Sequence, residues 1–171
     1  FDENLRENLL MIKDSKKLSE KNRYLMRDFI LEHAIDVSII DIDNTEIDRI
    51  NIVQARLRGF NQAIDELSMI PDHILVDGTQ FKLYTTRNGT IITHDTIMNG
   101  DNIYQSIAAA SIIAKCHRDD YMKLIHIEYP IYKWEKNKGY GTKEHRDSII
   151  INGISKYHRK TFGTCKEAIN N

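Results

Sequence analysis

The sequence predicts an α/β domain on three observations. Stretches with helical apolar spacing alternate with short β-branched runs. One short apolar run, Ile74-Leu75-Val76, ends in Asp77-Gly78, placing an acid where open α/β sheets bind their ligands. A long periodic stretch holds Ala108-Ala109-Ala110, small side chains that let a helix lie close against a sheet.

In chain order, Ser19 caps a helix whose apolar positions Leu25, Met26, Phe29, Ile30 and Ala34 recur at helical spacing. Val37 to Ile42 is rich in β-branched residues and is expected as a strand. A second helix is expected from Asp48 to Leu67, with Ile50, Val53, Leu57, Ile64 and Leu67 as its buried stripe. Pro71 interrupts, and a strand follows over 73–78. Thr90 to Thr93 is expected as a strand paired through the Asn88-Gly89 turn. The longest helix spans Asp101 to Ile127 and stops near Pro130. Lys143 to Asn152 forms another, ended by Gly153. Alternation of this kind favours parallel pairing in the sheet.

The chain has 171 residues, 41% hydrophobic and 29% charged, with two prolines and eight glycines. Collagen-like, disulfide-scaffold and largely disordered classes are excluded. No run of apolar residues is long enough to span a membrane. Cys116 and Cys165 lack metal-ligand spacing and suit a reducing cytosolic or nuclear compartment, and a cytoplasmic protein is expected. There is no repeat or Gly/Ser/Pro-rich linker, so one domain is expected, with residues 1–130 as its core and 131–171 as a basic extension. The opening residue is Phe1, and no strand precedes the first helix, from which missing upstream residues are expected. Net charge is −1, but residues 1–130 carry a balance of −6 and residues 131–171 one of +5. Carboxylates holding metal and a basic end meeting phosphate would give this asymmetry, as would a merely solvated surface.

Asp77 is either a strand-end ligand or the start of a turn. Ser111, Lys115 and Asp119 share one helix face at intervals of four. Lys115 and Asp119 are an ordinary i,i+4 pair, or else Asp119 reaches the strand end carrying Asp77. Two carboxylates meeting there supply hard oxygen ligands of the kind Mg²⁺ or Mn²⁺ takes beside a phosphate. Lys138-Gly139-Tyr140-Gly141-Thr142 presents a cation, an aromatic ring and a hydroxyl between glycines. Its tyrosine either stacks on a sugar or packs on the core. Lys16 and Lys17 reach phosphate or decorate a loop. The seven histidines show no ligand pattern, and His145 and His158 are expected to bond locally or add to the basic end.

Together these segments resemble ribonuclease HII, the type 2 ribonuclease H family. The matches fall in family order along nearly the whole chain. They are Asp14-Ser15-Lys16-Lys17-Leu18-Ser19, Asn51-Ile52 with Ala55, Pro71-Asp72, and Leu75-Val76-Asp77-Gly78. Next come Gly100-Asp101, Ser106 through Lys115, Arg118-Asp119 and Met122. The last are Tyr129-Pro130-Ile131-Tyr132, Lys138 through Thr142, His145, Gly153, and His158-Arg159 with Phe162.

The resemblance implies a ribonuclease H-like fold, a mixed central sheet flanked by helices, with a helical C-terminal extension. It implies an endoribonuclease that uses Mg²⁺ or Mn²⁺ in two-metal phosphoryl transfer. Such an enzyme hydrolyses the RNA strand of RNA–DNA hybrids and nicks duplex DNA 5′ of embedded ribonucleotides. Of the family's four acids, the third and fourth map onto Asp77 and Asp119. The ribonucleotide-sensing tyrosine maps onto Tyr140 and the phosphate-contacting segment onto Asp14 to Lys17. Lys16, Lys17, Ser111, Lys115, Tyr140 and Thr142 form the expected substrate-binding set, and a monomer is expected. Asp2-Glu3 with Arg6 echoes the family's opening acidic pair, but Asn4-Leu5-Arg6-Glu7 lacks its glycines. The first two acids are therefore expected to be absent, which leaves open a catalytically impaired nucleic-acid binder or a related structure-specific nuclease.

Overall fold

The computed structural model describes Ile12 and residues 18–170. Lys16 and Lys17, with the rest of the Asp14 to Lys17 segment and the Asp2-Glu3 pair, lie outside the described residues. The chain divides into two compact units. The first comprises the described residues up to Ile40 together with Gly59–Cys116, and the second Asp41–Arg58 together with His117 onward.

In the first unit, Ser19 caps helix α1 (Glu20–His33), its side chain accepting the Asn22 N–H at 3.2 Å. Met26 and Ile30, one turn apart, are buried, while Leu25 points outward. They meet Ile12 and the small and branched face Ala108, Ile112, Ile113 and Cys116 of a later helix, forming one apolar core. Residues 37–42, expected as a strand, belong to no ladder. β-branched side chains favour extended backbone, but a strand needs a neighbour to satisfy its N–H and C=O groups, and none flanks this stretch among the described residues. The segment is tied at its start by Asp36, whose carboxylate accepts the Val37 N–H and both the N–H and hydroxyl of Ser68.

The sheet has the order β1-β3-β2, from β1 (His73–Asp77), β2 (Tyr84–Thr85) and β3 (Ile91–Ile97). β1 runs parallel to β3 with His73 opposite Thr93 and Asp77 opposite Ile97. β2 runs antiparallel with Tyr84 opposite Ile92. The turn between β2 and β3 is held by Thr86, whose N–H bonds the Thr90 carbonyl at 2.9 Å, with Gly89 at φ 86°. The Asn88-Gly89 hairpin is thus present, and pairing is mixed rather than wholly parallel. β3 extends four residues past Thr93, because its polar run Thr93-His94-Asp95-Thr96 pairs by backbone despite lacking apolar alternation.

Helices α2 (Asn44–Ile50) and α3 (Ile52–Asp65) replace the single helix expected over 48–67. Asn51 separates them at φ 68° and ψ 163°, an extended conformation of positive φ that otherwise belongs to glycine. Its side chain accepts the N–H groups of Val53 and Gln54, capping α3 as it ends α2. Within the expected stripe Val53 is exposed, and Ala55 is the buried residue of α3 instead.

Helix α4 (Gln105–Glu128) follows a short 3₁₀ turn at Gly100–Asn102. In the second unit come a 3₁₀ turn (Pro130–Tyr132), α5 (Trp134–Asn137), α6 (Lys143–Asn152) and α7 (Gly163–Asn170). α6 matches its expected bounds, with Gly153 at φ 76° ending it. Ile125, Tyr132, Trp134, Ile149 and Cys165 form that unit's core. Among the described residues no helix is long and apolar enough to cross a membrane.

Candidate active site

The parallel ladder carries Asp77 to the C-terminal end of β1, and the Gly78 N–H closes the pairing onto the Ile97 carbonyl at 2.9 Å. Gly78 stands at φ 111°, a conformation glycine adopts without steric cost, so the chain turns away directly behind the acid. Asp77 is exposed. Its Oδ1 accepts the N–H of Gly100 at 2.9 Å, which orients the carboxylate. Gly100 packs closely there, since a Cβ would sit 2.6 Å from Ile107 Cδ1 and would push the end of that side chain aside. This close approach lets the 3₁₀ turn nest on the first turns of α4 while its amide faces Asp77.

The residue after that amide is Asp101, 3% exposed. A buried carboxylate adjoining the group that orients Asp77 is a second hard-oxygen donor in the same unit. In the sequence Asp101 stands where a helix start is expected, and an acid there has an ordinary explanation. The pairing of Gly100 with Asp77 is tertiary and leaves no local mark. Ser111 and Lys115 are exposed on one face of α4 in this first unit.

The second unit holds Asp119, Tyr140 and Thr142. Asp119 is 3% exposed on α4, directly after the exposed Arg118. Tyr140 is 64% exposed, so the alternative of a ring packed on the core does not hold. Its loop leaves α5 through two left-handed residues, Lys138 at φ 50° and Gly139 at φ 79°. Asn137 templates the turn: its Oδ1 accepts the Gly139 N–H at 2.9 Å and its Nδ2 donates to the Tyr132 carbonyl at 2.7 Å. The Thr142 hydroxyl caps α6 by accepting the His145 N–H at 3.3 Å.

Beneath the loop, the rings of His145 and His158 stack at 5.3 Å between centroids among Tyr132 and Trp134. His158 Nδ1 accepts the Ser155 N–H at 3.0 Å. Burial, followed by the neighbouring His145, lowers the His158 pKa to about 4, so the ring is neutral near pH 7. Both histidines bond locally rather than adding to the basic surface. The 156–161 loop beyond them is tied to α2. The Asn44 amide donates to the carbonyls of Lys156 and His158, and Asp48 accepts from the amides of Lys160 and Thr161.

The available donors are carboxylate oxygens, which match the hard-ligand demand of Mg²⁺ or Mn²⁺. Among the described residues no three His, Cys, Asp or Glu side chains gather at metal-holding separation. A cation of this class is commonly held by one or two carboxylates together with water and substrate phosphate, and the exposed Asp77 fits that use.

The family described as Ribonuclease HII matches residues 2–165. A ribonuclease HII of Bacteroides thetaiotaomicron is 47% identical over 152 residues, covering 89% of this chain and 74% of that protein. Among solved structures, the ribonuclease H2 of Pyrococcus horikoshii OT3 superposes with a TM-score of 0.80 at 21% identity, covering 99% of this chain and 86% of that one. Bst-RNase HIII in complex with Mn²⁺ gives 0.60 at 17% identity, covering 94% and 58%. These likenesses show the ribonuclease H-like α/β fold.

Proposed function

This chain belongs to the ribonuclease HII family, and from that premise we propose that it is an endoribonuclease acting on RNA–DNA hybrids and on ribonucleotides embedded in duplex DNA. The observation that carries the reading is the exposed carboxylate of Asp77, set at a parallel strand end and oriented by the Gly100 amide. Asp77 would hold Mg²⁺ or Mn²⁺ in the first unit, with Asp101 as a further carboxylate of that unit, while Asp119 enters the proposal as a metal ligand on the family resemblance alone. Bound there, such an ion would supply Lewis-acid stabilisation of a phosphodiester and lower the pKa of a coordinated water.

The chain's own residues supply binding and orientation. The Gly100 amide bonds Asp77 Oδ1 without substrate present, which lessens the reorganisation needed at the moment of reaction. Tyr140, exposed on its loop, stacks on the sugar at an RNA-to-DNA junction, where the 2′-hydroxyl distinguishes the two backbones. Lys16, Lys17, Ser111, Lys115 and Thr142, with the basic 131–171 segment, contact backbone phosphates, which position the duplex without reading its bases. The protein acts as a monomer in this reading.

The test is cleavage of a duplex carrying one ribonucleotide, with Mg²⁺ or Mn²⁺, by the full chain and by Asp77→Asn. Cleavage 5′ of the ribonucleotide is expected, falling more than about 100-fold in the variant, beyond the usual loss from an outer-shell contact. Undiminished cleavage by Asp77→Asn would remove Asp77 from the site. The opening run Asn4-Leu5-Arg6-Glu7, which lacks the glycines of the family's acidic motif, favours a second reading, a hybrid binder with impaired catalysis. Tight binding without cleavage in either metal would select it.

A further inference from the structure

A ring that discriminates by stacking must be held still, because ordering a mobile contact on binding offsets much of what the contact contributes. Tyr140 starts at a disadvantage: it is exposed, and Gly139 and Gly141 flank it with the most flexible backbone available. The structure compensates from outside the loop. Arg118 Nη2 donates to the Lys138 carbonyl at 2.7 Å, and its guanidinium carbon lies 4.6 Å from the centre of the Tyr140 ring. Arg146 Nη1 donates to the Gly141 carbonyl on the other side. Guanidinium-to-carbonyl bonds are charge-assisted and stronger than neutral ones, and the cation over the ring adds a cation–π attraction. Met122 lies 3.0 Å from where a Gly139 Cβ would stand, so the loop rests on a floor. The Tyr140 N–H bonds the Asn137 carbonyl and the Thr142 N–H the Tyr140 carbonyl, each at 2.8 Å, which satisfies the remaining turn.

We propose that Arg118 and Arg146 are positioning residues that grip the main chain on either side of Tyr140 and fix its ring as the ribose-reading surface. Arg118 lies against one face of the ring and leaves the opposite face for the sugar. The assignment rests on the reading of Tyr140 given above and deepens it, because it locates the ring's rigidity in two side chains outside the glycine-flanked loop. Arg118 also immediately precedes the buried Asp119 on α4, so one helix turn would set both a candidate metal ligand and the stacking ring.

The competing role for an exposed arginine is direct phosphate contact, and the two predict different losses. Removing a phosphate contact weakens binding to every duplex equally and lowers the salt slope. Removing a positioning contact lowers only the preference for the ribonucleotide. The experiment measures, by fluorescence anisotropy in metal-free buffer, affinity of the full chain for two otherwise identical duplexes, one all-DNA and one with a single ribonucleotide. Wild type, Arg118→Met, Arg146→Met, Tyr140→Ala and the two Met/Ala double variants are compared, each with a melting curve. Each single Met variant is expected to cut the ribonucleotide preference on the order of threefold or more, while changing all-DNA affinity less than about twofold. Neither is expected to add a loss when Tyr140 is already alanine. Additive losses, or equal losses on both duplexes with a shallower salt slope, would overturn the positioning role while leaving the function standing. A wild-type chain without ribonucleotide preference would overturn the reading of Tyr140 itself, and the positioning role with it. If Arg118→Met lacks a cooperative melt, Arg118→Lys takes its place under the same requirement of non-additivity.

Discussion

At the scale of the residue, His158 shows how a polar group can belong to a core. It is 6% exposed and stacked on His145, and its Nδ1 is occupied by the Ser155 amide. With its pKa lowered from 6.5 to about 4, the folded state binds fewer protons than the unfolded chain between those values. Its contribution is therefore fully present above about pH 6.5 and is lost progressively as pH falls toward 4. The loss amounts to about 1–3 kcal/mol after allowance for solvent screening. Urea unfolding between pH 7.5 and 4.5 should show this decline, and His158→Gln should flatten it. An equal slope in the variant would assign the acid sensitivity to other groups. The sequence left two readings for His145 and His158, local bonding or a place in the basic end, and the structure shows the first. Their burial was not legible, because it comes from Tyr132 and Trp134 closing around them.

At the scale of the element, caps and breaks were more legible than strands. Ser19, Gly89 and Gly153 mark their boundaries by their own chemistry, and each does so in the structure. Asn51 does the same, but the apolar spacing continues across it and masks the break. Asn51→Ala removes two capping bonds and puts a residue with no local polar compensation at φ 68°. It is expected to lower stability by about 1–2 kcal/mol, while Asn51→Gly, which keeps the conformation, costs only a few tenths. Urea midpoints of the two variants check the contrast, and similar losses would show that the backbone conformation is not what matters. Residues 37–42 illustrate the limit of propensity. Valine and isoleucine supply the preference for extended backbone, but pairing depends on a neighbour that no local pattern names.

For the whole molecule, the separation of charge predicts behaviour that no single element does. If the basic 131–171 segment meets phosphate, duplex affinity should fall at least about tenfold between 50 and 200 mM salt, linearly on logarithmic axes. Anisotropy titrations across that range check it, and affinity indifferent to salt would place the contact elsewhere. The family and its α/β fold were determined by sequence alone, because ordered motifs such as Ile107 through Lys115 and Lys138 through Thr142 retain the side chains that the fold and its chemistry both require. The strand-end position of Asp77 was equally visible, since an apolar run closing on Asp-Gly is a local pattern. Only the tertiary structure decided that the Gly100 amide orients Asp77, that Asp101 next to Gly100 is buried, and that Arg118 and Arg146 bond the main chain on either side of Tyr140. Those facts depend on groups brought together across 23 residues for Asp77 and Gly100 and 20 for Arg118 and Lys138, and linear spacing carries no record of contacts that chain folding alone creates.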